Sequence, residues 1–256
     1  MGAIEKTKVT GYNKGKEKGK EKGHMCSSIA IITARGGSKR IPRKNIKTFC
    51  GKPIIAYSIE AALQSGLFEE VMVSTDDKEI ARIAGEYGAK VPFMRSSESA
   101  GDYASTDDVL LEVLTAYKEQ GREFASFCCL YPTAPFVTED KLRTAMGLLE
   151  QADSVMPVVA FSFPPQRCMV INEAGELRMK WPEHARTRSQ DLEPYYHDCG
   201  QFYCCRTQPF IQYGTTDLPR MIPMIMSEME VQDIDNQDDW AIAELKYQQM
   251  MAKNLG

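Results

Sequence analysis

The stretch Ile29-Ala30-Ile31-Ile32-Thr33-Ala34-Arg35-Gly36-Gly37-Ser38-Lys39-Arg40-Ile41-Pro42-Arg43-Lys44-Asn45 decides how the chain is read. Its first four residues are apolar on both faces, the pattern of a strand buried in a parallel sheet. Two glycines follow, whose backbone can approach a ligand closely and turn N–H groups toward an anion. Five cations, Arg35, Lys39, Arg40, Arg43 and Lys44, surround them. Open α/β sheets bind ligands beyond the C-terminal ends of their strands, so a basic glycine turn here predicts a polyphosphate site. The competing reading is a surface loop of solvated basic residues. G-x-G-x-x-G is absent, and no Gly-Lys-Ser/Thr follows four spacer residues, which argues against a dehydrogenase and a P-loop ATPase.

The 256 residues suffice for one large α/β domain or a domain with a sizeable insertion. Residues 1–24 stand apart: seven Lys and three Glu give them +4, and 14–23 is a Lys/Glu/Gly low-complexity run. They read as a disordered tail or, because Gly23-His24-Met25 resembles a cloning junction, as a vector-derived segment with the natural start at Met25. Nucleic-acid binding by this tail is the alternative. The remainder holds 24 of the 31 basic and 32 of the 35 acidic residues, a net −8, which argues against a nucleic-acid partner. No apolar run approaches the ~20 residues a membrane span needs, and no signal-peptide pattern is present, so a cytoplasmic protein without a membrane partner is expected. The eight cysteines include adjacent pairs at 128/129 and 204/205 in apolar runs, and there is no Cys-x-x-Cys. Strand neighbours face opposite ways, so core thiols in a reducing compartment are expected rather than metal ligands.

Outward from the basic loop, strand and helix alternate. Helices are expected over 53–65, 77–87, 107–120, 139–151 and 237–252, with strands at 29–33, 71–75, 90–93, 124–131, 154–161, 201–206 and 221–226. Pro53 suits the first turn of its helix and Gly66 the stop. Asp76 is expected to cap the second helix in a capping box with Glu79, Thr106 the third and Thr138 the fourth. Val109, Leu110, Val113, Leu114 and Tyr117 form the buried stripe of the third helix. Residues 163–200 break the alternation, with Pro164-Pro165 and a hairpin around Asn172-Glu173-Ala174-Gly175, as an insertion or arm would.

Asp233-x-Asp235 is the second chemical feature. Alternate residues of an extended segment face the same way, so both carboxylates can converge on one hard cation such as Mg²⁺. Alternatively, Asp235 merely caps the final helix. The histidines are His24, His184 and His197, and neither H-E-x-x-H nor Gly-x-Ser-x-Gly occurs. His197, beside Asp198, is a candidate polar substrate contact. Arg95, Arg186 and Arg188 are candidates to grip a carboxylate.

From Ile29 to about Ala252 the chain resembles the nonulosonic acid cytidylyltransferases, the CMP–sialic acid synthetase family, and most of all its bacterial pseudaminic acid branch. The resemblance rests on Ala34-Arg35-Gly36-Gly37-Ser38-Lys39, Ile41-Pro42, Lys44-Asn45-Ile46 and Val73-Ser74-Thr75-Asp76-Asp77. Phe93-Met94-Arg95 with Glu98 and Asp102, Pro132-Thr133-Ala134-Pro135, and Asp233-Ile234-Asp235 extend it. It implies a Rossmann-like α/β nucleotide-diphosphosugar-transferase sandwich with a mostly parallel sheet. An arm at about 157–200 would make a homodimer and reach toward the partner's site, all within one domain over 25–256. Arg35, Gly36, Gly37, Ser38, Lys39, Lys44, Asn45, Arg95 and Thr106 would hold CTP. Asp233 and Asp235 would position Mg²⁺, and Tyr131, Arg188, Gln190 and His197 would face the sugar. Arg35, Lys44 and Asp235 would serve the transfer of CMP to the sugar's anomeric hydroxyl, Lys44 and Asp235 being candidates for a base. The product would enter bacterial glycan synthesis such as flagellin glycosylation. Tyr131 stands where sialic acid enzymes carry Gln, Cys199-Gly200 where they carry Asn-Gly, and Arg188 is offset by one residue, which favours a differently decorated nine-carbon acid. Neuraminic or legionaminic acid is the alternative substrate, and a non-catalytic CTP- or sugar-binding protein the alternative role.

Overall fold

Ser28–Thr33, buried on both faces along most of its length, forms strand β1, one strand in from the edge of a seven-stranded sheet. This computed structural model describes residues 27–101 and 103–254. The tail over 1–24, Cys26 and Asp102 lie outside the described residues. After the basic loop, β2 (Thr48–Phe49) and β3 (Lys52–Pro53) form a small antiparallel pair and lead into α1 (Ile54–Ser65). The chain continues through β4 (Glu70–Ser74), α2 (Lys78–Glu86), α3 (Thr106–Glu119), β5 (Ser126–Leu130) and α4 (Glu139–Leu148). Next come β6 (Ser154–Ala160), the hairpin β7 (Met169–Ile171) and β8 (Leu177–Met179), and β9 (Tyr196–Asp198). β10 (Phe202–Arg206), α5 (Thr207–Tyr213), β11 (Met221–Ile225) and α6 (Gln237–Asn254) complete it.

The strand order is β11-β6-β10-β5-β1-β4, with β9 added beside β6. β1 runs parallel to both β4 and β5, and β11 parallel to β6, whereas β10 and β9 run antiparallel to their neighbours. Alternate β1 residues therefore enter different cores. Ala30 and Ile32 pack with α1, α2 and α4, while Ile29 and Ile31 pack with α3 and α5. The result is a three-layer α/β/α sandwich, the layering a mostly parallel sheet requires.

A third cluster positions the site. Ile41 of the basic loop, Ile54 and Tyr57 of α1, Ile234 and Trp240 pack together. Burying Ile234 is worth about 2 kcal/mol and draws the segment before α6 against the loop after β1.

The α3 stripe is buried as expected, and Gly66 ends α1 at φ 65°. Other expectations need correction. Asp77, not Asp76, caps α2, accepting from the N–H groups of Glu79 and Ile80. The capping box is absent there because Asp76 takes the Gly36 N–H and Glu79 pairs with Arg43. Ser105, not Thr106, caps α3, in a capping box with Asp108. The strand expected at 90–93 shrinks to one bridge, Lys90 with Met72, because Pro92 cannot donate to a ladder. Pro53 closes β3 instead of opening α1. α5 and β9 were not expected. Cys128, Cys129, Cys199, Cys204 and Cys205 are core thiols, but Cys168 is exposed.

Candidate active site

A cavity of about 510 Å³ opens at the C-terminal end of β1. Arg35, Ser38, Lys39, Arg40, Lys44 and Asn45 line one side, and Arg95, Thr106 and Tyr131 another. The basic loop thus walls a cationic hollow. The loop keeps its shape through bonds that leave most of its charge facing inward. Asn45, only 6% exposed, donates to the Arg35 carbonyl at 2.8 Å. Gly36 donates its N–H to Asp76 at 2.8 Å, so that N–H is engaged within the protein rather than turned to the cavity. A methyl group at Gly36 would stand 3.0 Å from Asp77 Cβ, whereas one at Gly37 would meet nothing within 4 Å. Arg43 leaves the group of five: it sits in the left-handed region at φ 57° and pairs outward with Asp77 and Glu79. Four of the five loop cations therefore line the hollow, and the charge of Arg43 clamps the loop to the start of α2.

Arg95 is 8% exposed and donates to the Ser74 carbonyl at 2.7 Å and the Ser74 hydroxyl at 3.0 Å. Burial pulls its pKa down while Asp76 and Glu112 pull it up. Lys44 donates to the Ile234 carbonyl at 2.7 Å and lies 4.0 Å from Asp235. Burial lowers the Lys44 pKa, against the opposing pull of Asp235 and Asp233. Asp235 also meets Arg40 at 2.7 Å. It is not the helix cap: Asn236 accepts from the N–H groups of Asp238 and Asp239, and Asp239 accepts from those of Asp235 and Asn236. The carboxylate of Asp235 is thereby left to the cavity's cations.

A cytidylyltransferase family model matches residues 29–177, more than half of the chain. The chain belongs to the cytidylyltransferase family. It is 40% identical over 222 residues to the pseudaminic acid cytidylyltransferase of Campylobacter jejuni, covering 86% of this chain and 96% of that one. The CMP-N,N'-diacetyllegionaminic acid synthase of Legionella pneumophila is 36% identical over 84% of this chain and 94% of its own. A solved CMP:2-keto-3-deoxy-manno-octonic acid synthetase, complexed with CTP, shares the fold, with a TM-score of 0.61 at 20% identity over 89% of this chain and 99% of that one.

Not every expected residue of this cytidylyltransferase meets at the cavity. Tyr131 does, held by the Ser58 hydroxyl on its carbonyl at 2.8 Å and by a 3.3 Å contact between its hydroxyl and that of Thr106. Asp233 is exposed beside a second cavity of about 230 Å³, which His197 and Lys246 share. The His197 ring packs against Phe161 in a tilted contact, with centroids 4.8 Å apart. Arg188 pairs with Asp191 at 2.7 Å within the arm, Gln190 lines a separate hollow beside Pro164 and Pro165, and Arg186 is exposed. Within one chain none of these three reaches the basic hollow. Sequence reading placed Arg40 among the loop cations without giving it a role. It also missed Tyr203, whose ring meets that of Tyr131 edge to face and whose hydroxyl donates to Asp198; an apolar-looking strand residue such as Tyr203 carries no local signal of this.

Proposed function

We propose that this cytidylyltransferase transfers CMP from CTP to a nonulosonic acid, with release of pyrophosphate, and that the acid is pseudaminic acid. The observation that carries the reading is the convergence of Arg35, Lys39, Arg40 and Lys44 on one hollow, beside Asp235, in a chain of this family. The likeness to the C. jejuni enzyme along 96% of its length supports the choice of sugar.

The loop cations bind the triphosphate and offset the charge that grows on the departing pyrophosphate, the task preorganised cations perform in phosphoryl transfer. Ser38 and the Gly37 backbone complete the cradle, and Arg95 and Thr106 contact the nucleotide. Lys44, fixed by the Ile234 carbonyl, holds its charge at one place on the phosphate path. The sugar's anomeric hydroxyl attacks the α-phosphate in line with the leaving group. Its proton passes to solvent or to Asp235, the carboxylate at the cavity edge.

Asp233 and Asp235 flank the buried Ile234, and the charges of both act on Lys44. Hard oxygen donors suit Mg²⁺, and no group of three or more acidic, His or Cys ligands occurs among the described residues. Such a pair fits an ion that takes its remaining ligands from substrate phosphates and water. When bound, Mg²⁺ would neutralise phosphate charge and acidify the sugar hydroxyl.

The arm supplies Arg188, Gln190 and His197 toward the sugar in a homodimer. A reaction that consumes CTP belongs in the bacterial cytoplasm, where its product would feed glycan assembly such as flagellin glycosylation. Among the described residues no helix is long and apolar enough to cross a membrane. The test is pyrophosphate release from CTP with a panel of nonulosonic acids. Fastest turnover with pseudaminic acid supports the reading; preference for neuraminic or legionaminic acid changes the sugar, and inertness with every acid overturns the function.

A further inference from the structure

Arg40 and Asp235 are joined in a contact that the proposed reaction cannot keep. Arg40 donates from Nη1 to Asp235 Oδ2 at 2.7 Å, and Lys44 Nζ stands 4.0 Å from the other carboxylate oxygen. Among the described residues, Asp235 is the only carboxylate paired with Arg40. The reaction asks both groups for something else: Arg40 for the triphosphate, Asp235 for a divalent cation. A guanidinium bonded to a carboxylate oxygen and a dication on the same carboxylate repel each other, so the two uses of Asp235 compete.

The surroundings decide which partner yields. The Asp235 backbone is fixed: its N–H donates to Asp239 at 2.9 Å, and the adjacent Ile234 is buried. Lys44 is fixed by its bond to the Ile234 carbonyl, with its side chain 22% exposed. Arg43 is held outward by Asp77 and Glu79. Arg40, by contrast, lines the hollow with its side chain 68% exposed, and its one ion pair is with Asp235. Swinging its guanidinium toward a phosphate breaks that pair and leaves the strap in place. We infer that Arg40 is a placeholder on Asp235, which it holds until the triphosphate draws it away, so that a divalent cation binds this carboxylate more tightly once CTP is in place. Charge balances in the exchange, because one cation leaves the carboxylate for phosphate as another takes its position. The carboxylate is thereby shielded from metal until the nucleotide it acts on has arrived.

The inference rests on the metal role proposed for Asp235, and two titrations separate them. Mn²⁺ binding to the full chain without nucleotide is followed by loss of the free-Mn²⁺ electron paramagnetic resonance signal. CTP binding is followed by calorimetric titration in EDTA. Wild type, Arg40→Gln, Asp235→Asn and the double variant are compared, with the thermal midpoint of each as the check on folding; neither side chain is buried. Arg40→Gln should bind Mn²⁺ about five-fold tighter than wild type, the weight of one exposed ion pair, although it binds CTP more weakly. Asp235→Asn should bind Mn²⁺ about ten-fold more weakly or worse, having lost one of two carboxylate ligands. In EDTA, Asp235→Asn frees Arg40 and should tighten CTP binding about five-fold, a gain that shrinks below about two-fold in the Arg40→Gln background. If Asp235→Asn weakens Mn²⁺ binding but Arg40→Gln does not tighten it, the exchange is overturned and the metal role stands. Equal gains in CTP affinity in the two backgrounds also overturn the exchange, since Asp235 would then act on the nucleotide through its charge alone. Mn²⁺ binding unmoved by Asp235→Asn removes the metal role and the inference together, and leaves the transfer activity to the panel of acids.

Discussion

Arg40 and Asp235, 195 positions apart, meet at 2.7 Å and join the basic loop to the segment before α6. Their side chains are 68% and 37% exposed, so the pair contributes at most about 1 kcal/mol to stability. Buried Ile234, not the ion pair, holds the segment in place. Asp235→Ala should therefore shift the thermal midpoint by less than about 4 °C. Pyrophosphate release should nevertheless fall by about 10²-fold or more, the scale of losing a preorganised charge at a reacting centre. Scanning calorimetry and a pyrophosphate assay together check this, and full activity would deny Asp235 the metal-binding role proposed for it.

Gly36 and Gly37 are adjacent but not equivalent. An alanine methyl at 36 would press on Asp77 at 3.0 Å, against the clamp that Asp77 forms with Arg43. Gly36→Ala should weaken CTP binding by about ten-fold through displacement of the loop, whereas Gly37→Ala meets no atom and should bind within about two-fold of wild type. Calorimetric titration with CTP compares them; equal losses would show that backbone freedom, not the clash, governs the turn.

How much of this was legible in the sequence depended on how local each determinant is. β1, the basic turn and the α3 stripe rest on neighbouring residues and emerged directly. The caps of α2 and α3 were each misplaced by one residue, because Asp76-Asp77 and Ser105-Thr106 each offer two competent caps. What separates them is distant: Asp76 is taken by the Gly36 N–H, and Thr106 lies against Tyr131. The outward turn of Arg43 likewise depends on Asp77 and Glu79, more than thirty positions away. α5 escaped notice because seven residues containing Pro209 show too little periodicity.

Glu70 is buried at the opposite end of β4, 4% exposed, with hydrogen bonds from Tyr117, Arg122 and Lys90. Burial opposes its charge, but the three donors outweigh that and hold its pKa below the ordinary 4.5. A depressed carboxyl stabilises the fold fully above its unfolded value and loses that contribution as pH falls through the folded one. Arg122→Ala should cost about 2 kcal/mol at pH 7. The difference from wild type should narrow as urea unfolding is repeated below pH 4.5. A constant difference would trace the Arg122 contribution to its packing over Tyr117 and Phe124, each 5.1 Å away.

The arm offers the sharpest division between one chain and two. Its hairpin leaves Met169, Ile171 and Leu177 57%, 73% and 64% exposed, an apolar surface that suits a second copy. Ile171→Glu should give monomers in light scattering. Arg188 lies outside the basic hollow of its own chain, paired with Asp191, so the proposed role at the sugar requires the hollow of a second copy. Asp235→Ala and Arg188→Ala then disable a site in different ways, one through the hollow and the other through the visiting arm. Unfolded and refolded together, the two inactive variants should form mixed dimers in which one site pairs an intact hollow with an intact arm. With random twofold pairing, about a quarter of wild-type activity should return. If Arg188 acts within its own chain, or not at all on the sugar, no mixed dimer gains a complete site in this way. Activity would then stay at the level of the separate variants.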